Sequence, residues 1–87
     1  MSPNKRQADG DNDDYVILGK ALRELRELAG LTQEGLAAKV GIGSTYVSQV
    51  EHAHRGVRWH TLLRLLDALG ADLARLSKAI DKQRRTH

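Results

Sequence analysis

Thr45, Ser48, Gln49 and His52 recur at i, i+3, i+4 and i+7, the spacing that lines up one face of a helix. Together they offer hydroxyls, an amide and an imidazole, all short and uncharged. Such groups recognise by hydrogen bonding, and nothing around them supplies covalent chemistry. The chain has no cysteine, which removes thiol nucleophiles, disulfides and thiolate metal sites. No Ser/His/Asp set on a plausible scaffold accompanies them, so enzyme activity is not expected. His52, His54 and His60 raise the question of zinc. A His-x-His pair plus one further His, with no cysteine, fits no common site, and neither a metal nor another cofactor is expected.

Charge stands beside this face and not on it. Lys39 precedes it, and His54, Arg55 and Arg58 follow it. A polar, uncharged helix face flanked by cations is what insertion into a DNA major groove requires. Hydroxyl and amide groups reach base edges without stranding a charge, while the flanking cations meet phosphates and set the register. Gln49 can pair with adenine N6 and N7, and the Thr45 methyl can touch a thymine methyl. Ser44 leads the same face and Ser48 shares it. Thr32 and Gln33, where the preceding helix starts, add free N–H groups for phosphate. Tyr46 either packs its ring on the core or turns its hydroxyl out to a phosphate, and the sequence leaves both open.

The elements that must hold these residues follow from apolar spacing and breakers. Residues 1–13 carry almost nothing to bury and are expected to form a disordered arm. Val16, Ile17, Leu18, Ala21, Leu22, Leu25 and Leu28 then recur at three- and four-residue steps, which predicts a first helix over 15–29, stopped by Gly30. Thr32 caps a second helix, 33–40, with Leu36, Ala37 and Val40 inward. Gly41, Ile42 and Gly43 make a three-residue turn, and a third helix covers 44–52 with Val47 and Val50 inward. Gly35 inside the second helix is a local fault. A loop rich in His and Arg runs to Trp59, expected to be a core plug between that loop and the fourth helix. Leu62, Leu63, Leu65, Leu66 and Leu69 mark that helix, closed by Gly70. Leu73, Leu76 and Ile80 mark a fifth, starting near Asp72. The fold class is all-α, a compact five-helix domain over 14–82 with its helix-turn-helix at 32–53 and a basic tail at 83–87.

Composition bounds the rest. Eighty-seven residues hold one small domain. No run approaches the roughly 18 apolar residues of a membrane span, the polar start lacks a signal-peptide core, and cytoplasm is the default location. Phe is absent and the aromatics are Tyr15, Tyr46 and Trp59, which argues against a β-sandwich or a stacking platform for single strands. The net charge of +3 understates the folded part. Residues 1–14 set Lys5 and Arg6 against four Asp, and the remainder sets 12 Lys and Arg against 7 Asp and Glu. A basic domain of this size suits a polyanion. Leu66, Leu69, Leu73, Leu76 and Ile80 exceed what one small core can cover, and predict a homodimer interface on the last two helices.

The stretch LGKALRELRELAGLTQEGLAAKVGIGSTYVSQVE and, further on, TLLRLLDALGADL resembles the Cro/CI (Xre) helix-turn-helix family of bacterial and phage regulators. Its carriers are Leu31-Thr32-Gln33, Leu36-Ala37, Gly41, Val47-Ser48 and Glu51. The VRWHTLLRLLDALGADL segment is similar to small antitoxins of the HipB type, and restriction-modification controller proteins match nearly as well. The resemblance implies a homodimeric, sequence-specific regulator of double-stranded DNA, acting as an autorepressor on a palindromic operator. The alternative is an antitoxin whose main partner is a toxin protein. It also implies Gln33 as a phosphate contact, Ser44, Thr45 and Gln49 as base contacts, and Arg26 with Glu51 as a structural ion pair. Three positions depart from the family. Gly43 replaces a Ser or Thr cap, which is lost or passes to Ser44. Gly35 replaces a Glu. Ala53 replaces a Gly, with Gly56 available to carry that turn downstream.

Overall fold

The computed structural model describes the backbone of residues 3–86 and the side chains of 13–86. Among the described residues it holds five helices and no strand: α1 Pro3–Leu28, α2 Gln33–Val40, α3 Ser44–Glu51, α4 Trp59–Leu69 and α5 Leu73–Thr86. None of these helices is long and apolar enough to cross a membrane. α1 starts at Pro3, ahead of the position near 15 where the apolar spacing begins. The expected arm at 1–13 falls on residues nearly all of whose side chains lie outside the described set.

Each helix contributes one apolar stripe to a single core. Ala21, Leu22 and Leu25 come from α1, Leu36, Ala37 and Val40 from α2, and Val47 and Val50 from α3. α4 adds Leu62, Leu65, Leu66 and Leu69, and α5 adds Leu76 and Ala79. Glycines in the left-handed region close α1 at Gly30, α2 at Gly41 and α4 at Gly70. Asp72 Oδ1 accepts the Arg75 amide at 2.9 Å and so caps the start of α5. The far end of α5 is held by Glu24 of α1, which takes the Lys82 ammonium at 3.1 Å and the Gln83 amide at 2.9 Å. Helix continues to Thr86, through residues expected to form a basic tail.

Two expectations about apolar residues are corrected. Leu66, Leu69 and Leu76, expected at a dimer interface, are enclosed by their own chain, with Leu66 only 2% exposed. The α4 stripe at 62, 65, 66 and 69 is consumed by the core, and Leu76 with Ala79 fills the space against α1. Ile80 is half-buried against the core. Of the five, Leu73 alone is well exposed, at 47%, and Leu63 of α4 is exposed beside it. Leu63 and Leu73 line one surface groove together with Ala71 and Ala74.

Trp59 is 62% exposed and plugs nothing. It is the first residue of α4. Side chains on a helix lean toward its N-terminus, so an indole at the first position leans past the end of the core. Val57, two residues earlier, packs against the core in its place.

Candidate nucleic-acid interface

The turn between α2 and α3 is built as a left-handed C-cap. Gly41 has φ 80° and ψ 33°, and both Gly41 and Ile42 donate their amides to the Ala37 carbonyl, at 2.9 and 3.0 Å. This double closure is a Schellman-type ending, and Gly is the residue that takes it without a Cβ clash. Arg64 of α4 donates Nη2 to the Val40 carbonyl at 2.6 Å, satisfying another open carbonyl of that last turn. At the other end of α2, Thr32 Oγ1 accepts the Gly35 amide at 2.9 Å. A Cβ on residue 35 would stand 3.2 Å from that Oγ1, so the helix-breaking residue at 35 gives the cap room.

α3 starts without a side-chain cap. Gly43 is the N-cap, in extended conformation, and accepts no side-chain role. The cap does not pass to Ser44, which is already the first residue of the helix. At the far end, the family's left-handed position is kept by Ala53, with φ 63°. The turn therefore does not move to Gly56, whose φ is not positive. A non-glycine residue in this region costs about 1–2 kcal/mol. Gly56 serves differently: a Cβ there would meet the Tyr15 ring at 3.0 Å, so the α3–α4 loop lies close over the Tyr15 side chain.

The inward side of α3 is fixed by packing and by charge. Val47 and Val50 are buried, and so is Glu51. Arg26 of α1 meets the Glu51 carboxylate with both arms, Nε to Oε2 at 2.7 Å and Nη2 to Oε1 at 3.0 Å, and gives Nη1 to the Leu31 carbonyl at 2.8 Å. The hydrogen bonding that Arg26 donates to Glu51 is the main cause that raises the Arg26 pKa above its ordinary value, against the opposing effect of burial. A raised folded-state pKa means the ion pair's contribution is fully present below the ordinary arginine range. On the arginine side it is lost as pH climbs through the raised value. Gln33 joins the pair, its Nε2 donating to Glu51 Oε1 at 2.9 Å.

One residue essential to this arrangement gives little sign of its role in sequence. Gly19 of α1 is buried, and a Cβ there would stand 2.5 Å from the Val50 carbonyl oxygen and 2.7 Å from that of Glu51. Its bare backbone lets α1 close onto the end of α3, which brings Arg26 within reach of Glu51. The available signal is a Gly inside a strongly periodic helical run, where it costs about 1 kcal/mol relative to Ala and so invites a search for a packing role.

The outward side carries the polar strip. Thr45 is exposed, and Ser44, Ser48 and Gln49 are half-exposed. Their contacts are local. His52 bonds back to Ser48 at 2.8 Å, and Gln49 Oε1 accepts Arg55 Nη1 at 3.4 Å. Arg55 also lies over the Tyr46 ring, 4.5 Å from its centroid, a cation–π geometry. The structure thus brings Tyr46, Gln49 and Arg55 together. Tyr46 packs one part of its ring on the core and offers a face to the guanidinium. Arg58 is exposed at the start of α4. Lys39 lies apart from this group, lining a groove with Arg64 and Asp67 of α4. His54 is exposed, with its ring centroid 6.1 Å from that of His52.

Comparison with known proteins gives a consistent result. The profile of a family described as "Helix-turn-helix domain" matches residues 17–79. Control protein C.MunI of a Mycoplasma species is 34% identical over 73 residues, spanning 83% of this chain and 99% of that protein. The crystal structure of the restriction-modification controller protein C.AhdI from Aeromonas hydrophila superposes with a TM-score of 0.70 at 41% identity, covering 74% of this chain and 97% of that one. A propionyl-CoA carboxylase regulator of Cereibacter sphaeroides is 39% identical over 62 residues, which is 71% of this chain but 13% of that protein's length.

Proposed function

The chain belongs to the Cro/CI (Xre) helix-turn-helix family of DNA-binding transcriptional regulators, and from that premise we propose that it is a homodimeric autorepressor that reads a palindromic operator through α3. The observation that carries the proposal is the outward strip of α3. Thr45, Ser48 and Gln49 are open to solvent while the opposite side of the same helix is locked into the core.

In this reading α3 enters the major groove. Gln49 pairs with an adenine edge and the Thr45 methyl meets a thymine methyl. Ser44 and Ser48 supply further hydroxyl contacts. Arg55 and Arg58 hold the phosphates on one side, with the Tyr46 hydroxyl beside them, and the start of α2 holds them on the other. Thr32 Oγ1 accepts the Gly35 amide, so its own O–H is free to donate to a phosphate oxygen. Gln33 gives one amide hydrogen to Glu51 and keeps the second, together with its backbone N–H at the helix start. Lys39, turned toward α4, contributes general positive potential. Each phosphate neutralised adds about −0.9 to the slope of log affinity against log salt.

The dimer is proposed to form through the apolar surface that the core leaves open, centred on Leu63 and Leu73. Two-fold pairing would set the two α3 helices about one DNA turn apart, roughly 34 Å. The Aeromonas hydrophila relative, matched over nearly its whole length, is a restriction-modification controller protein, and we assign the same kind of control to this chain. It is favoured over neutralisation of a toxin, which no relative reported above suggests. Selection of binding sites from random duplexes by the full chain tests the proposal. A two-fold symmetric consensus with half-sites one turn apart is expected. A pool with no symmetric consensus contradicts it.

A further inference from the structure

We infer that His52 is a base-reading residue held in one tautomer, with Nε2 as the reading atom, and that it recognises an exocyclic amino group in the major groove. The inference rests on α3 being the recognition helix.

His52 lies seven residues after Thr45 and three after Gln49, on the same strip. It is the C-cap of α3 and is exposed. Its ring folds back along the helix, and Nδ1 lies 2.8 Å from the Ser48 carbonyl oxygen and 3.4 Å from Ser48 Oγ. The same carbonyl also takes the His52 backbone amide at 3.0 Å, which its two lone pairs allow. A carbonyl oxygen only accepts, so Nδ1 must carry the proton. In the neutral ring Nε2 is then an acceptor, and it has no partner among the described residues.

That assignment decides what the ring can bind. Phosphate oxygens only accept, so neutral His52 has nothing to give them. The major groove offers hydrogen-bond donors at cytosine N4 and adenine N6 alone. A neutral His52 fixed over the Ser48 turn therefore selects a base that bears an amino group. Protonation would reverse the preference, making Nε2 a donor suited to guanine O6 and N7 or to phosphate. Of the titratable and charged groups on this side of the helix, His54 lies 6.1 Å away between ring centroids and Arg55 reaches Gln49 of the same strip. Glu51, next in sequence, is turned inward to Arg26.

The test compares binding-site selection by the full chain and by its His52→Ala variant at neutral pH. Nitrogen-detected NMR of the free protein reports the tautomer alongside. The expected spectrum shows the proton on Nδ1. The expected selection keeps the palindrome but loses, at one position per half-site, about a fivefold preference for cytosine or adenine; which of the two is lost identifies the base. A proton on Nε2, or an equal loss of affinity on all sequences in His52→Ala, overturns the inference. A palindrome unchanged at every position in His52→Ala removes this inference alone. Failure of the unsubstituted chain to select any palindrome removes the reading beneath it as well.

Discussion

The two sides of α3 are held by different kinds of interaction, although they belong to the same eight residues. The inward side meets distant parts of the chain. Val47 and Val50 sit in the common core, Glu51 is clasped by Arg26 with two bonds, and Gly19 presses its bare backbone against the carbonyls of Val50 and Glu51. The outward side meets only its own neighbourhood. Ser48 is bonded by His52 four residues on, and Gln49 by Arg55 six residues on. In the proposed reading, position and recognition are separately encoded: long-range contacts fix where the helix lies, and the strip that faces solvent is left free to meet a target.

Substitutions should divide along the same line. The largest effect is expected from Glu51→Ala, which leaves the Arg26 guanidinium buried without its carboxylate. The cost should be about 3–5 kcal/mol of unfolding free energy, read by denaturant titration. A loss below about 1 kcal/mol, the range of an exposed ion pair, would mean that the inward side is not held by charge. Gly19→Ala comes next, at about 1–3 kcal/mol, because the new Cβ meets backbone carbonyls that cannot swing away. A neutral or stabilising result would show that α1 and α3 are not in close contact.

Smaller effects sharpen the contrast. Leu73→Glu is expected to leave stability within about 0.5 kcal/mol, as for an exposed position, while shifting the sedimentation profile from dimer to monomer and weakening operator binding. A dimer that survives would place the interface elsewhere. Ala53→Gly should raise stability by about 0.5–1 kcal/mol, relief of the left-handed strain being partly offset by backbone entropy. Its DNA preference should be unchanged, because Ala53 belongs to neither side of the helix. A loss of stability would mean that the left-handed turn is not present in solution.

Much of this division was legible in the residues themselves. The three-residue turn, the inward pair Val47 and Val50, and the outward spacing of Thr45, Ser48, Gln49 and His52 follow from helical periodicity and from glycine at Gly41. What escaped has identifiable physical causes. Periodicity places Trp59 in register with Leu62 and Leu66, but a helix's first residue leans beyond the core, so the indole ends up exposed. Counting leucines on α4 and α5 could not tell which were consumed internally, and Leu66, Leu69 and Leu76 were. Arg55 reads in sequence as a flanking cation, yet the Tyr46 ring and the Gln49 amide draw it to the edge of the polar strip. Such placements depend on where the loop after α3 turns. That turn is set by Ala53 adopting a conformation which the residue type does not advertise.

Base reading by the outward strip of α3 is open to a decisive measurement on Gln49→Ala. Affinities of the unsubstituted chain and the variant would be measured at one fixed salt concentration, on the selected operator and on a random duplex of the same length. The account predicts a loss of about tenfold or more on the operator, little change on the random duplex, and an unchanged melting midpoint. An equal loss on both duplexes, or none on either, would contradict it.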